Sequence, residues 1–155
     1  MNSDEIDAPK PLYRVQENVL ALGERRLLNW LCARMPAWVS PDILTAIGVL
    51  GAGLVFLGYA LSNLHPATLG LAIAGYVVQW FGDSMDGSIA RYRHIERPKY
   101  GYFLDHSVDG LVILLIMGGI GLSPYVRLDV ALLALAGYLL LSIHAYLSAR
   151  VLGEL

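Results

Sequence analysis

Hydrophobic and polar positions divide the chain into one amphipathic segment followed by several long apolar segments. In residues 13–35, leucines fall near one side while charged residues are interspersed, which favours a helix lying in a membrane interface. An amphipathic helix packed on a soluble partner is the alternative interpretation of the same period. Residues 1–12 are polar and contain two prolines, so this stretch is predicted to be a flexible tail.

Four apolar segments follow the amphipathic one and predict membrane-spanning helices at residues 43–61, 67–91, 100–122 and 130–149. Ser40, Pro41 and Asp42 precede the first span and supply a capping hydroxyl, a proline at the first helical position and an acid in the first turn. Four glycines of this span are expected to allow close helix packing in lipid. They are Gly48, Gly51, Gly53 and Gly58. The fold class is therefore an all-α polytopic membrane helix bundle, with an N-terminal interfacial amphipathic helix and four transmembrane helices.

Composition agrees with a membrane protein, since 56% of the 155 residues are hydrophobic. The formal net charge of −2 and the lack of a basic stripe give no reason to expect nucleic acid as a partner. The basic residues cluster before the first span, between the second and third, and after the fourth. By the positive-inside rule, both termini and the loop after the second span face the cytoplasm. We expect an integral protein of the bacterial inner membrane.

Four carboxylates interrupt the second and third predicted spans. Asp83 and Asp86 share one helical face, and Asp105 and Asp109 lie about one turn apart on the next helix. A charged side chain deep in a bilayer costs roughly 2.5–3.5 kcal/mol on insertion scales, so several together indicate a functional site. Their mutual repulsion favours proton binding or cation binding. Two hard divalent ions, Mg²⁺ or Mn²⁺ and as an alternative Ca²⁺, would neutralise them through oxygen ligands.

Three further residues lie on the same face as Asp83 and Asp86. Gly87 and Ala90 leave a groove in which a nucleotide or diphosphate can approach the helix backbone. Arg91, at the cytoplasmic end of this helix, offers a fork of donors suited to phosphate. The sequence therefore predicts a phosphate-binding groove beside the metal ligands.

This pattern resembles the signature of the CDP-alcohol phosphotransferase family, D-x2-D-G-x2-A-R followed after a spacer by G-x3-D-x3-D. All eight fixed positions are filled: Asp83, Asp86, Gly87, Ala90, Arg91, Gly101, Asp105 and Asp109. Pro41, Asp42 and Thr45 are similar to the P-N-x-x-T sequence common in these enzymes, with Asp in place of Asn.

The resemblance implies a phosphotransferase of phospholipid biosynthesis. An alcohol hydroxyl would attack the β-phosphorus of a CDP-linked donor and release CMP. Asp83, Asp86 and Asp105 would hold the metal ions, and Asp109 would complete the site and act as general base. The partners implied are the CDP-linked donor, a lipid or alcohol acceptor and membrane lipids.

Family members usually have six spans, so four indicate a fragment, a shortened chain or a divergent short member. We therefore expect a homodimer to cover the charged helix faces, with Gly118, Gly119 and Gly121 in the contact. The alternative function is a metal- or nucleotide-binding or cation-conducting membrane protein without transferase turnover. That alternative explains the carboxylates but gives no role to Gly87, Ala90 and Arg91.

Overall fold

The structure is a computed structural model that describes residues 19–152, and these residues form α-helices and short 3-10 turns without any strand. The helices are α1 (Val19–Arg34), α2 (Pro41–Ala60), α3 (Leu69–Tyr92), α4 (Pro98–Gly121) and α5 (Leu128–Leu152). The 3-10 turns Leu61–Asn63 and Pro66–Thr68 connect α2 to α3. This confirms the all-α prediction. The predicted tail at residues 1–12 and the first part of the predicted interfacial helix lie outside the described residues.

The start of α2 follows the predicted capping sequence. Ser40 has an extended backbone, and its side chain accepts a hydrogen bond from the backbone N–H of Ile43 at 3.3 Å. Pro41 occupies the first turn, where a missing N–H costs nothing, and Asp42 adds the acid that this helix end favours. These residues fix where α2 begins, which matters because Asp42 and Thr45 later line the site.

Glycines bring α2 and α3 into backbone contact along their length. A Cβ on Gly51 would lie 2.8 Å from the carbonyl oxygen of Gly75. A Cβ on Gly82 would lie 2.7 Å from Cα of Gly48, and one on Gly58 would likewise meet α3. The predicted packing role is thus correct for three of the four glycines. It is wrong for Gly53, because a Cβ there would have nothing within 4 Å.

The end of the bundle that carries the motif has its own hydrophobic core. Leu44, Met85 and Ile89 are almost completely buried and pack with Cys32 and Val39. Burial raises the pKa of the Cys32 thiol, although nearby arginine charges partly oppose that shift. Because Met85 and Ile89 point into this core, the rotation of α3 is fixed and its acidic face turns towards α4.

Arg93 ties the end of α3 to the connection between α1 and α2. Its guanidinium donates hydrogen bonds to the carbonyl oxygens of Met35, Pro36 and Val39 at 3.0, 2.9 and 2.6 Å. The helix itself ends in a Schellman arrangement, in which His94 has the left-handed φ of 56°. The beginning of α2 and the end of α3 therefore lie at the same end of the bundle.

Three helical segments are long and apolar enough to cross a membrane: Pro41–Asn63, Pro98–Gly121 and Leu128–Ser148. The sequence predicted four spans. Helix α3 has 24 residues but carries the charged half of the motif near its end, and it is not among the three. A protein with three such helices is an integral membrane protein.

The glycines near the end of α4 pack inside the chain. A Cβ on Gly119 would lie 2.7 Å from Cα of Phe56 on α2, and one on Gly121 would lie 2.9 Å from the side chain of Ala131 on α5. Gly118 also faces Phe56. A place in a contact between two copies is therefore wrong for Gly119 and Gly121, which are buried within one copy.

Candidate active site

A cavity of about 350 Å³ opens at the motif end of the bundle, where α2, α3 and α4 converge. Seven of the eight residues of the motif line it: Asp83, Asp86, Gly87, Ala90, Arg91, Gly101 and Asp105. The residues of α3 and those of α4 thus meet across one space, as the helical spacing predicted. The eighth residue, Asp109, does not line this cavity.

Asp86 is the most firmly held of the carboxylates. The hydroxyl of Thr45 donates a hydrogen bond to its Oδ2 at 2.6 Å, and the backbone N–H of Gly87 lies 2.5 Å from its Oδ1. Thr45 is on α2, so this bond joins two helices. Asp83, next to it along the cavity wall, is exposed within the described residues. Asp86 is therefore pre-positioned, whereas Asp83 is open to the cavity.

The side chain of Arg91 lies over Gly87, which precedes it by one turn of α3. Its Nη1 is 3.2 Å from the position of a Cβ on Gly87, and its Nη2 is 3.5 Å from Oγ of Ser88. The glycine therefore leaves room for the guanidinium to lie along the helix surface. The group remains exposed, with most of its N–H donors free of hydrogen bonds among the described residues.

An ion pair crosses the mouth of the cavity. Asp42 at the start of α2 pairs with Arg97, which precedes α4, and the guanidinium of Arg97 lies 4.3 Å above the ring of Tyr100. All three residues line the cavity. In the sequence, Arg97 is one of the basic residues between the second and third predicted spans, and that pattern does not predict its pairing with Asp42. The signal that could have identified it is the opposite charge of Asp42.

Asp109 lies in a second space, between α4 and α5. This cavity has a volume of about 200 Å³ and is lined by His106, Asp109, Tyr138, Ser142 and Tyr146 among others. The helical spacing correctly placed Asp109 one turn from Asp105, and carboxylate oxygens of the two residues lie within 4.8 Å of each other. The site thus has two sides that share α4.

His106 connects the two sides. Its ring stacks on Tyr146 of α5 at a centroid distance of 4.4 Å and contacts Tyr102 at 4.0 Å. Its Nδ1 lies 3.3 Å from Oδ2 of Asp105 but makes no hydrogen bond, although that nitrogen is buried. The ring of His106 thus packs between helices, while its Nδ1 lies next to Asp105.

The residues fit a divalent metal ion. Ligand atoms of Asp105, His106 and Asp109 all lie within 4.8 Å of one another. In an octahedral site with bonds of about 2.1 Å, ligand atoms lie about 3 to 4 Å apart, so small side-chain rotations would suffice. The buried Nδ1 without a partner is also a polar atom that an ion would satisfy. The carboxylates provide the oxygen ligands that Mg²⁺ and Mn²⁺ prefer, and His106 adds a nitrogen.

The profile of the CDP-alcohol phosphatidyltransferase family matches residues 38–153, which include the whole motif. The chain belongs to this family. The resemblance seen in the motif is thereby confirmed, and it extends over all four of the helices α2 to α5.

Two curated relatives are archaeal family members. The archaetidylinositol phosphate synthase of Pyrococcus horikoshii is 31% identical over 133 residues, which are 86% of this chain and 60% of that protein. The archaetidylinositol phosphate synthase of Methanothermobacter thermautotrophicus is 34% identical over 126 residues, which are 81% of this chain and 59% of that protein. The chain thus spans about three fifths of the length of these relatives. Both are archaeal, so they do not support a bacterial source in particular. No solved structure matches the chain.

Proposed function

We propose that this family member is a metal-dependent phosphotransferase of polar lipid biosynthesis. It would move a phosphatidyl or phospho-alcohol group from a CDP-linked donor to an alcohol acceptor and release CMP. The observation that carries this proposal is the cavity between α2, α3 and α4, which gathers three carboxylates and the arginine of the motif from two helices. A diphosphate needs both kinds of group, since its charge must be neutralised and its oxygens need fixed donors.

The carboxylates of Asp83, Asp86, Asp105 and Asp109 would hold two divalent ions, Mg²⁺ or Mn²⁺. When bound, such ions would neutralise the negative charge of the diphosphate. The Thr45 hydroxyl keeps the Asp86 carboxylate in place. Arg91 donates to phosphate oxygens, and the small residues Gly87 and Ala90 let the donor approach α3.

Asp109 would accept the proton of the acceptor hydroxyl. As that proton leaves, the hydroxyl oxygen forms a bond to the β-phosphorus of the donor, and the bond to CMP breaks. The position of Asp109 supports an approach of the acceptor from the space between α4 and α5, because Asp109 lines that space and also lies next to Asp105 of the α2/α3/α4 cavity. General-base assistance typically contributes about 10²–10⁴-fold to such a rate.

We also propose that α3 crosses the membrane, as a fourth span. Its backbone is in glycine contact with the apolar helix α2 over much of its length, which supports a common location of the two helices. Its C-terminal end and the loop at residues 93–97 would face the cytoplasm, where a cytidine nucleotide is present.

A homodimer remains part of the proposal. The apolar segments of α4 and α5 are only 6% and 11% buried within one copy. A second copy could cover part of this surface and with it the charged side of α4, although the glycines at the end of α4 would not take part. Mass measurement in mild detergent would test this, and an active monomer would contradict it.

The experiment for the reaction uses purified full-length protein, Mg²⁺ or Mn²⁺, lipid extract and a panel of labelled CDP-alcohols and CDP-diacylglycerol. Release of CMP together with a labelled lipid product is expected from one donor class. Asp83→Asn should abolish it, whereas Asp129→Asn should not, since Asp129 is an exposed carboxylate paired with Arg127 outside the site. Two results together would instead favour the cation-binding alternative. The affinity for the metal would not change with CDP or CMP, and no donor would give a product.

A further inference from the structure

A second polar groove lies between α1 and α3. Its volume is about 490 Å³, and it is lined by Arg25, Leu28 and Asn29 of α1 and by Ser88, Arg91 and Tyr92 of α3. The α2/α3/α4 cavity shares only Arg91 with it. The motif of the family explains Arg91 but gives no reason for the other five residues.

The lining of the groove is built from hydrogen-bond donors. It includes two guanidinium groups, an amide, a hydroxyl and a phenol, and no carboxylate among the described residues lines it. Arginine forks match the geometry of phosphate oxygens, and two of them in one groove favour an anion with several acceptor atoms. The groove is therefore suited to a phosphate group.

The position of Arg91 supports a link between the two spaces. Its guanidinium lies over Gly87, which lines the α2/α3/α4 cavity, and its Nη2 is directed to Ser88, which lines the groove. A guanidinium has five N–H donors in one plane, so it can donate to ligands on both of its sides. An anion in the groove would thus touch a residue that also faces the cavity.

The groove is also next to the part of α1 expected to lie in the membrane interface. Trp30 is 52% exposed and Leu27 is 45% exposed on this helix, and Arg34 stacks on the ring of Trp30 at 4.0 Å. Exposed aromatic and basic side chains in this combination are typical of segments at the level of lipid headgroups. A phosphate at that level is available from a lipid or from the cytoplasm.

We propose that the groove between α1 and α3 is a binding site for a phosphate ester, separate from the site that holds the CDP-linked donor. Arg25 and Arg91 bind the phosphate oxygens from opposite sides of the groove. Asn29 and Ser88 offer further donors. The ester is either the headgroup of an anionic lipid or a soluble phosphate, and the two sources share the chemistry that the groove recognises.

The test measures binding without turnover, in the absence of any nucleotide or metal. In one arm, native mass spectrometry compares retention of phosphatidylglycerol and phosphatidylcholine by the full-length protein in mild detergent. In the other arm, isothermal calorimetry measures binding of glycerol 1-phosphate. The variant is Arg25→Gln, and the matched control is Arg26→Gln, which removes the same charge from the neighbouring exposed position of α1 outside the groove.

We expect Arg25→Gln to weaken binding about tenfold in at least one arm, since it removes one charge-assisted hydrogen bond, while Arg26→Gln binds as the unaltered protein does. Loss in the phosphatidylglycerol arm identifies a lipid headgroup, and loss in the glycerol 1-phosphate arm identifies a soluble ester. Asn29→Asp adds a negative charge to the groove and should weaken binding of the same ligand. This variant replaces Arg25→Gln in the test if Arg25→Gln does not fold.

Three results would overturn the proposal. The first is an equal loss in Arg25→Gln and Arg26→Gln, which would indicate attraction by overall charge alone. The second is undiminished binding in both Arg25→Gln and Asn29→Asp. The third is that the unaltered protein neither prefers phosphatidylglycerol nor binds glycerol 1-phosphate. None of these results depends on whether the protein transfers a phosphate group.

Discussion

The hydrogen bond between Thr45 and Asp86 gives a sharp test of how α2 contributes to the site. Replacing Thr45 with valine removes the hydroxyl and keeps nearly the same shape. The hydroxyl has one hydrogen, and two oxygens lie near it: Oδ2 of Asp86 at 2.6 Å and the carbonyl oxygen of Pro41 at 3.2 Å. The shorter distance and the charge of a carboxylate favour Asp86 as the acceptor. Thr45→Val therefore removes one donor from a metal ligand on another helix.

The size of the effect follows from what remains at Asp86. A hydrogen bond to a charged group contributes about 1.5–3 kcal/mol, which corresponds to roughly 10–100-fold in an equilibrium or rate constant. The carboxylate keeps its contact with the backbone N–H of Gly87 and is only partly buried, so it is not left without a partner. We therefore expect the lower end of this range, about tenfold.

Two measurements on Thr45→Val check this reasoning. One is the affinity for Mn²⁺ by electron paramagnetic resonance, and the other is kcat/KM for CMP release with the donor that gives the highest turnover. Both should fall by about tenfold, and Thr45→Ser should restore them because it keeps the hydroxyl. Values for Thr45→Val within twofold of the unaltered protein would refute the role of the bond. Equal damage in Thr45→Ser would show that the methyl group matters instead.

Three further predictions concern binding, packing and backbone conformation. Asp86→Asn should weaken Mn²⁺ and CDP binding together, whereas Asp109→Asn should lower turnover by about 10²–10⁴-fold with much less effect on nucleotide affinity; equal loss of affinity would make Asp109 mainly a ligand. Gly51→Ala should destabilise the protein in detergent by about 1–3 kcal/mol, because a Cβ there meets the α3 backbone, whereas Gly53→Ala should be neutral or slightly stabilising; similar melting temperatures would contradict this. His94→Gly should stabilise the protein by up to about 1 kcal/mol, since its left-handed φ of 56° strains a residue with a Cβ, and a lower melting temperature would refute that.

Local signals in the sequence predicted the helices well, because each depends on neighbouring residues. Ser40 caps α2 as expected, and the predicted spans differ from the helices by only a few residues. Helical spacing also predicted that Asp83 and Asp105 would face one cavity. These inferences need only the period of a helix and the chemistry of its ends.

Contacts between distant segments were harder to predict, since a helical period gives the direction of a side chain but not its partner. Arg93 is one of the basic residues after the second predicted span, and nothing in the sequence indicates that four backbone carbonyl groups at residues 35–39 accept its hydrogen bonds. Gly53 and Gly119 illustrate the same limit. Both looked suited to helix contacts, but Gly53 faces open space and Gly119 is buried against Phe56 of the same chain.

The location of Asp109 has the largest consequence for mechanism. Spacing alone places Asp105 and Asp109 on one stripe, which suggests equal access to the donor. Helix α5 modifies this, because Tyr146 stacks on His106 and lines a second space together with Asp109. Asp109 remains within 4.8 Å of Asp105, but it also lines a space together with tyrosines and Ser142. In the proposed reaction, Asp109 would therefore help to hold the ions on one side and accept the proton of an alcohol that approaches along α5 on the other.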